Sequence, residues 1–442
     1  MIILTIILTF MLIAYYYIFC KKDILSPTLI LFAAFTFTSF FGVLGNTNWN
    51  VNISVSIYFI VISGLIAFAL GEITIKISNS VKEIDECVFN RYEKKNYKIS
   101  IGIIVLFTLF GMIIFYLYLK KMNVIASKYG FLGSLSFSAL EYAKVGLSDG
   151  VDIGYISYLV NFVYATGYVS IYCFCYESIL NKDTIKQNIY LLMPCIPQLL
   201  CHAISGSRNG FITFIVYFFF CYFLIYYKVY PRKDKDTIST RKIIAIIVSS
   251  MIVFFALFQF LGEFLGKTGV RTPLEMLYLY TGSSIPALSK YVENGVIHSN
   301  FFGSESFVGI VNHFHRIFGT PAGVKVLNHV RFANRSTTNI FTCYRQYIDD
   351  FGYWGLWLIM YIQGFVFSYT YSRIKHRKHI GFNIIVYSYY MYYLISSIFA
   401  ASTTIYFMSR AFISLFLCIG IIYLFFTRVR ITLKKHRRNY DE

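Results

Sequence analysis

Long uninterrupted apolar runs, separated by short polar connections, set the pattern of this chain. The runs cover about 2–20, 27–44, 53–73, 99–119, 153–176, 188–205, 210–227, 243–265, 351–371, 381–401 and 405–427. Each has the length of a helix that crosses about 30 Å of hydrocarbon, and none shows the short alternating segments of a membrane barrel. The pattern predicts an all-α polytopic membrane protein with about eleven transmembrane helices. Only two connections are long, 120–152 and 266–350. The second is too long to be structureless in a compact protein. Apolar residues at three- and four-residue spacing predict helices over 273–293 and 307–318, and the mixed stretch 131–145 of the first connection has the look of a segment lying on a membrane surface.

Composition agrees. Charged residues make up 14% of the 442 positions and mean hydropathy is +0.60, against about a quarter charged in a soluble chain. The first run is followed by Lys21 and Lys22 and lacks a basic leader and a cleavage site, so it reads as a retained helix. Most of the nine cysteines fall inside spans, where they act as small apolar residues. No spacing suggests a disulfide framework or zinc ligands.

The net charge of +19 would suggest nucleic acid in a soluble protein. Here well over half of the 40 Lys and Arg residues fall in alternate connections: 21–22, 76–98, 181–187, 228–242, 373–379 and the tail from Arg428. Basic short loops mark the cytoplasmic side, so the expected orientation is N-terminus out and C-terminus in, with both long connections extracytoplasmic. The charge is a topology signal and calls for no nucleic acid; its partner is the bilayer.

Candidate chemistry gathers on the outer side. Ser205-Gly206-Ser207-Arg208-Asn209-Gly210 is a tight turn that places a guanidinium at a helix start, suited to a phosphate or to lipid headgroups. Asn339-Ile340-Phe341-Thr342 leads to Arg345, Asp349, Asp350 and Gly352. Arg345 and Asp349 are one helical turn apart and can simply pair; an aspartate there can also take a proton from a sugar hydroxyl. Arg271, Arg331, Arg335 and Arg410 are further outer cations, the last one to two turns into the final span. His313 and His315 are two apart, with no third ligand in view, and no metal is expected.

These segments, together with Tyr280-Thr281-Gly282-Ser283-Ser284-Ile285-Pro286 and Phe302-Gly303-Ser304-Glu305-Ser306-Phe307, resemble the bacterial oligosaccharide repeat-unit polymerases, the Wzy-type O-antigen polymerases. The paired Arg, ten residues, Gly pattern of some members finds one match, Arg271 to Gly282, and the first outer loop holds no arginine. The resemblance implies an enzyme of the bacterial inner membrane, working at its periplasmic face without a cofactor. It would transfer a growing glycan from undecaprenyl diphosphate to the non-reducing end of a new lipid-linked repeat unit, in O-antigen or related polysaccharide synthesis. A flippase and a chain-length regulator of the same pathway are the implied partners. On this reading Arg208, Arg345 and Arg410 hold diphosphates, with Arg271, Arg331 and Arg335 in support. Asp350 is the proton acceptor, and Asn339 and Thr342 position sugar. An O-antigen ligase-type transferase and a lipid-linked oligosaccharide flippase or transporter stay open as alternatives.

Overall fold

The computed structural model describes residues 1–20, 23–80, 99–131, 137–148, 151, 153–180, 185–205, 208–230, 273–299, 301–323, 329–333, 336–376 and 380–428. The expected span at 243–265, and Arg271 and Arg335, lie outside the described residues. What is described is almost wholly helical; the strands among the described residues are the two of a small hairpin.

Six described helices are long and apolar enough to cross a membrane, and this is an all-α membrane protein. They are α2 (Pro27–Trp49), α3 (Val55–Ser80), α4 (Ile101–Lys128), α6 (Ile156–Leu180), α8 (Arg208–Val229) and α14 (Arg410–Arg428). Four other expected spans have a different form. Helix α1 (Ile2–Ile18) is apolar but shorter. The run 188–205 is divided into a 3₁₀ turn, Ile189–Leu192, and α7 (Cys195–Ile204), because Pro194 cannot continue the first piece. The run 351–371 sits inside α12 (Cys343–His376), which breaks at Gly352. The run 381–401 ends early, with α13 (Phe382–Ile395) followed by a 3₁₀ turn and the short helix Ser402–Ile405.

The chain forms two compact units. One holds 94–214 and 414–442. Its core joins Ile114, Tyr118 and Met122 of α4 to Leu140 and Ala143 of α5 (Phe137–Ser148) and to Val160 and Val163 of α6. Helix α4 continues to Lys128, so the front of the expected first long loop is helical. The Tyr164 and His202 rings stack at 4.2 Å, and Gly210 lies so close to the imidazole that a Cβ there would collide with it.

The other unit holds 1–93 and 215–413. Helices α3 and α12 pack along their length through glycines. A Cβ on Gly364 would meet the Phe68 carbonyl, and one on Gly71 the Tyr361 carbonyl and the Phe365 amide. Ser63 Oγ accepts from Trp357 Nε1 at 2.8 Å on the same seam. Small residues that let backbones approach are how helices associate where no hydrophobic effect drives them together. Gly364→Ala is therefore expected to force the pair apart at a cost of about 1–3 kcal/mol, read as a lower unfolding midpoint in detergent. An unchanged midpoint would show that the seam yields freely. Glu72, also on α3, accepts from Ser26 Oγ (2.6 Å) and Thr28 N (2.9 Å) and pairs with Lys76 at 2.6 Å, so a carboxylate from α3 caps the start of α2.

The expected helices of the second long connection are present: α9 (Pro273–Gly282), α10 (Ser284–Glu293) and α11 (Val308–Phe318). The hairpin follows, with β1 (Val330–Ala333) paired antiparallel to β2 (Ser336–Thr338), Val330 opposite Thr338. Phe332 turns inward from the hairpin onto Ala287, Tyr291 and Phe341.

Candidate functional site

Gly352 has φ 67° and ψ −171°, which splits α12 into a short helix over 343–351 and a long one after it. A side chain rarely tolerates that positive φ. The short helix doubles back against the long one and the core. Tyr344 reaches Gly64, near the middle of α3, and stacks on Phe35 of α2. Gln363, in the long half, donates to the Tyr347 hydroxyl at 2.6 Å. All ten residues from 341 to 350 are buried. The last part of the expected outer loop, 343–350, is thus a packed helix within the helical body. Chain 396–404, where the next expected span breaks, is stitched to it. Phe341 N donates to Phe399 O (3.2 Å), Ala401 N donates to Gln346 Oε1 (2.6 Å), and the Tyr347 hydroxyl lies 3.3 and 3.4 Å from those of Thr403 and Thr404. Gln346 and the Phe341 amide thereby supply bonds that the broken backbone loses.

Arg345 is the centre. It is 3% exposed, with Nη2 2.9 Å from Glu305 Oε2 and Nη1 3.6 Å from Asp349 Oδ2. Its guanidinium carbon lies 5.1 Å from the Phe341 ring centre and 5.8 Å from that of Tyr291, a favourable setting for a desolvated cation. Tyr291 donates its hydroxyl to Asp349 Oδ1 at 2.8 Å and accepts from Ile297 N at 3.0 Å. In this short helix and the residue before it, Arg345 Nη1, Asp349 Oδ2 and Thr342 Oγ1 have no hydrogen-bond partner, the first two facing each other at 3.6 Å. Unsatisfied groups are scarce in folded proteins, and a cluster of them marks a place where a water or a ligand group completes the bonding.

Asp350 has a different task from its neighbour. Ser299 Oγ (2.5 Å), Ser304 Oγ (3.4 Å) and Glu305 N (3.3 Å) donate to its Oδ1, and Glu305 N (3.2 Å) and Ser306 N (2.6 Å) to its Oδ2. A carboxylate has about four lone-pair sites, so none is left for a substrate hydroxyl. Asp350 fixes the turn 303–306, which carries Glu305 to Arg345. Asp350, the expected proton acceptor, is thus engaged by this turn and by Ser299. Arg345, expected to hold a diphosphate, is paired with Glu305 and Asp349.

One guanidinium and three carboxylates share this region. Burial pushes the Asp349 carboxyl up to about 7, against the downward pull of Arg345 and of the Tyr291 hydrogen bond. Burial raises Glu305 too, again opposed by Arg345. In the unfolded chain Asp349 loses its proton near 3.8. Between that value and about 7 the folded protein holds a proton that the unfolded chain has released, so stability falls as pH rises across the window. Asp349→Asn is expected to flatten that slope in unfolding midpoints measured from pH 4 to 8; an unaltered slope would assign it elsewhere.

The remaining expected site residues are more open. Asn339 is exposed just after β2, and Arg331 is exposed on β1, on the opposite side of the strand from Phe332. Arg410 is exposed as the first residue of α14. Arg208 is the first residue of α8 and belongs to the other unit. His313 Nε2 donates to the Met408 carbonyl at 2.7 Å and His315 Nδ1 meets the Thr320 carbonyl. No group of three metal-ligating side chains occurs among the described residues. Sequence reasoning missed Glu305, Tyr291 and Ser299 as members of the centre. Glu305 had a signal, as a lone acid between two serines in a segment already singled out.

No known family, curated protein or solved structure matches the chain.

Proposed function

We propose that this protein is a membrane glycosyltransferase that joins lipid-linked oligosaccharide repeat units into a surface polysaccharide, as its resemblance to the Wzy-type polymerases implies. One observation carries the reading. Segments 302–307 and 339–352, over thirty residues apart in sequence, meet at a buried polar centre, and segment 280–286 joins the chain entering it through Thr338. Asp350 binds the turn 304–306, the Phe302 and Phe351 rings meet edge to face at 4.3 Å, and Thr338 Oγ1 accepts from Ile340 N (3.1 Å) and from Ser283 Oγ (3.4 Å).

In the reaction, the bond from the donor's anomeric carbon to diphosphate breaks and a bond to the acceptor hydroxyl forms. The hydroxyl proton passes to a base, and diphosphate leaves with the bonding electrons. Asp349 suits the base role better than Asp350: its Oδ2 accepts no hydrogen bond and meets only the Arg345 guanidinium at 3.6 Å, and burial pushes its carboxyl up to about 7. Arg345 and Tyr291 position it. Diphosphate falls to cations outside this cluster: Arg208, Arg331 and Arg410, with Arg271 and Arg335 as further candidates. Asn339 and Thr342 keep their assignment to sugar. The site would face the periplasm in a bacterial inner membrane, and a flippase and chain-length regulator are the expected partners.

A second reading has its own support. A buried carboxyl titrating near 7 beside broken helical segments is also a feature of proton-coupled transporters, here of lipid-linked oligosaccharide. Purified protein in proteoliposomes, supplied with undecaprenyl-diphosphate-linked repeat units, separates the two. A ladder of glycan multiples is expected, lost in Arg208→Ala although that variant still inserts. Single-unit transfer would favour a ligase, and translocation without lengthening a transporter.

A further inference from the structure

Helix α11 carries an apolar stripe that none of the described residues covers. Phe314, Ile317 and Phe318 are spaced three and four apart and are 51%, 70% and 68% exposed. The Phe314 and Phe318 rings stack at 5.8 Å. Arg316 projects from the other side of the helix and is also exposed. Eleven residues make about 17 Å of helix, too short to cross a bilayer. Gly319, at φ 67°, ends the helix in a left-handed cap.

What α11 rests on decides what its open face meets. Gly309 lies against the Phe407 carbonyl and the Ser409 amide, so closely that a Cβ would collide with both, and His313 bonds the Met408 carbonyl. Those residues lead directly into Arg410, where a helix able to cross the membrane begins. Tyr406, Phe407 and Met408 are themselves 40–43% exposed. The stripe is therefore fixed at the mouth of a spanning segment, where hydrocarbon gives way to headgroups.

We infer that α11 lies in the plane of the membrane–water boundary, with Phe314, Ile317 and Phe318 among acyl chains and Arg316 turned to the headgroup phosphates. This is the arrangement of an interfacial amphipathic helix, with cations on the polar face and large apolar residues on the other. It gives the helix a role outside the glycan chemistry. Residues 304–306, which bind Asp350, run through Phe307 straight into α11. A helix held at the boundary sets the depth at which that turn is presented to the site.

The test uses the full chain in nanodiscs holding one copy each, made of phosphatidylcholine with a minor share of phosphatidylglycerol. Phe318→Trp and Ile317→Trp add a fourth indole to the three already present, and mid-chain brominated phosphatidylcholine is the quencher. Difference spectra against the unsubstituted protein are expected to show a blue-shifted added emission, quenched roughly twofold by brominated lipid. Arg316→Trp, on the opposite side, is expected to stay unquenched. Water-like emission from Phe318→Trp and Ile317→Trp would overturn the inference and leave the stripe for a second copy or another protein. Blue-shifted emission indifferent to bromination would overturn it as well, because protein rather than lipid would then cover the face.

Discussion

Arg345→Ala is expected to be the most damaging single substitution in the chain. It removes the only cation paired with Glu305 and Asp349 among the described residues and leaves two buried carboxyls facing each other. Removing one partner of a buried ion pair costs roughly 3–5 kcal/mol, because the other charge keeps its desolvation penalty. Part of that penalty is avoided by protonation, so the loss should be smaller at pH 5 than at pH 8. Unfolding midpoints at the two pH values read this directly. Arg345→Lys is expected to recover little, since an ammonium cannot reach Glu305 and Asp349 as a planar fork does or lie against the Phe341 and Tyr291 rings in the same way. Glycan lengthening by Arg345→Ala at the normal rate would sink the centre as a functional site, whatever the stability.

Asp350→Ala should follow closely, for a different reason. Ser304 Oγ, Glu305 N and Ser306 N lose their acceptor at once, while Ser299 Oγ keeps the Phe301 and Asp349 carbonyls. A buried donor left unsatisfied costs about 1–3 kcal/mol, and the two backbone amides cannot turn away to find another partner. The expected result is a destabilisation of about 3 kcal/mol, with Glu305 released from Arg345. Asp350→Asn separates fixing from proton transfer. It places an NH₂ against N–H donors and should destabilise, yet the pH dependence of whatever activity remains should match that of the unsubstituted protein. Under the proposed mechanism Asp349→Asn alters that profile instead. A profile changed by Asp350→Asn alone would return the proton to Asp350.

Hydropathy made the helical membrane body legible, because a twenty-residue apolar run admits few other fates. Periodicity likewise gave α11 nearly to the residue, and gave 273–293 as one helix that the structure divides at Ser283 into α9 and α10. Sequence reasoning also paired Arg345 with Asp349, since one turn of helix brings any such pair together. It could not weigh that pairing against Glu305, which comes from a turn forty residues away and makes the shorter contact. Nor could it tell Asp349 from Asp350. The two adjacent carboxylates point to different sides of one short helix, and only the tertiary turn at 303–306 decides which is saturated. The breaks at Gly352 and after Ile395 were hidden inside runs that hydropathy reads as continuous. Local composition does not report a break whose backbone amide, at Ala401, is satisfied by Gln346 of another segment.

The glycine seam between α3 and α12 has a consequence for how the protein is made. Ser63 and Trp357, which face each other across it, are separated by 294 residues. Synthesis runs from the N-terminus, so α3 enters the membrane long before its partner exists. Its narrow face, around Gly64 and Gly71, must wait against lipid or against a chaperone. The Arg345 centre cannot close until the seam does, because the short helix that carries Arg345 is held between Gly64 on one side and residues 396–404 on the other. Assembly of the site is thus a late event in the life of the nascent chain, and a product truncated shortly before residue 400 would have α2, α3, α4, α6 and α8 but neither α14 nor a closed centre.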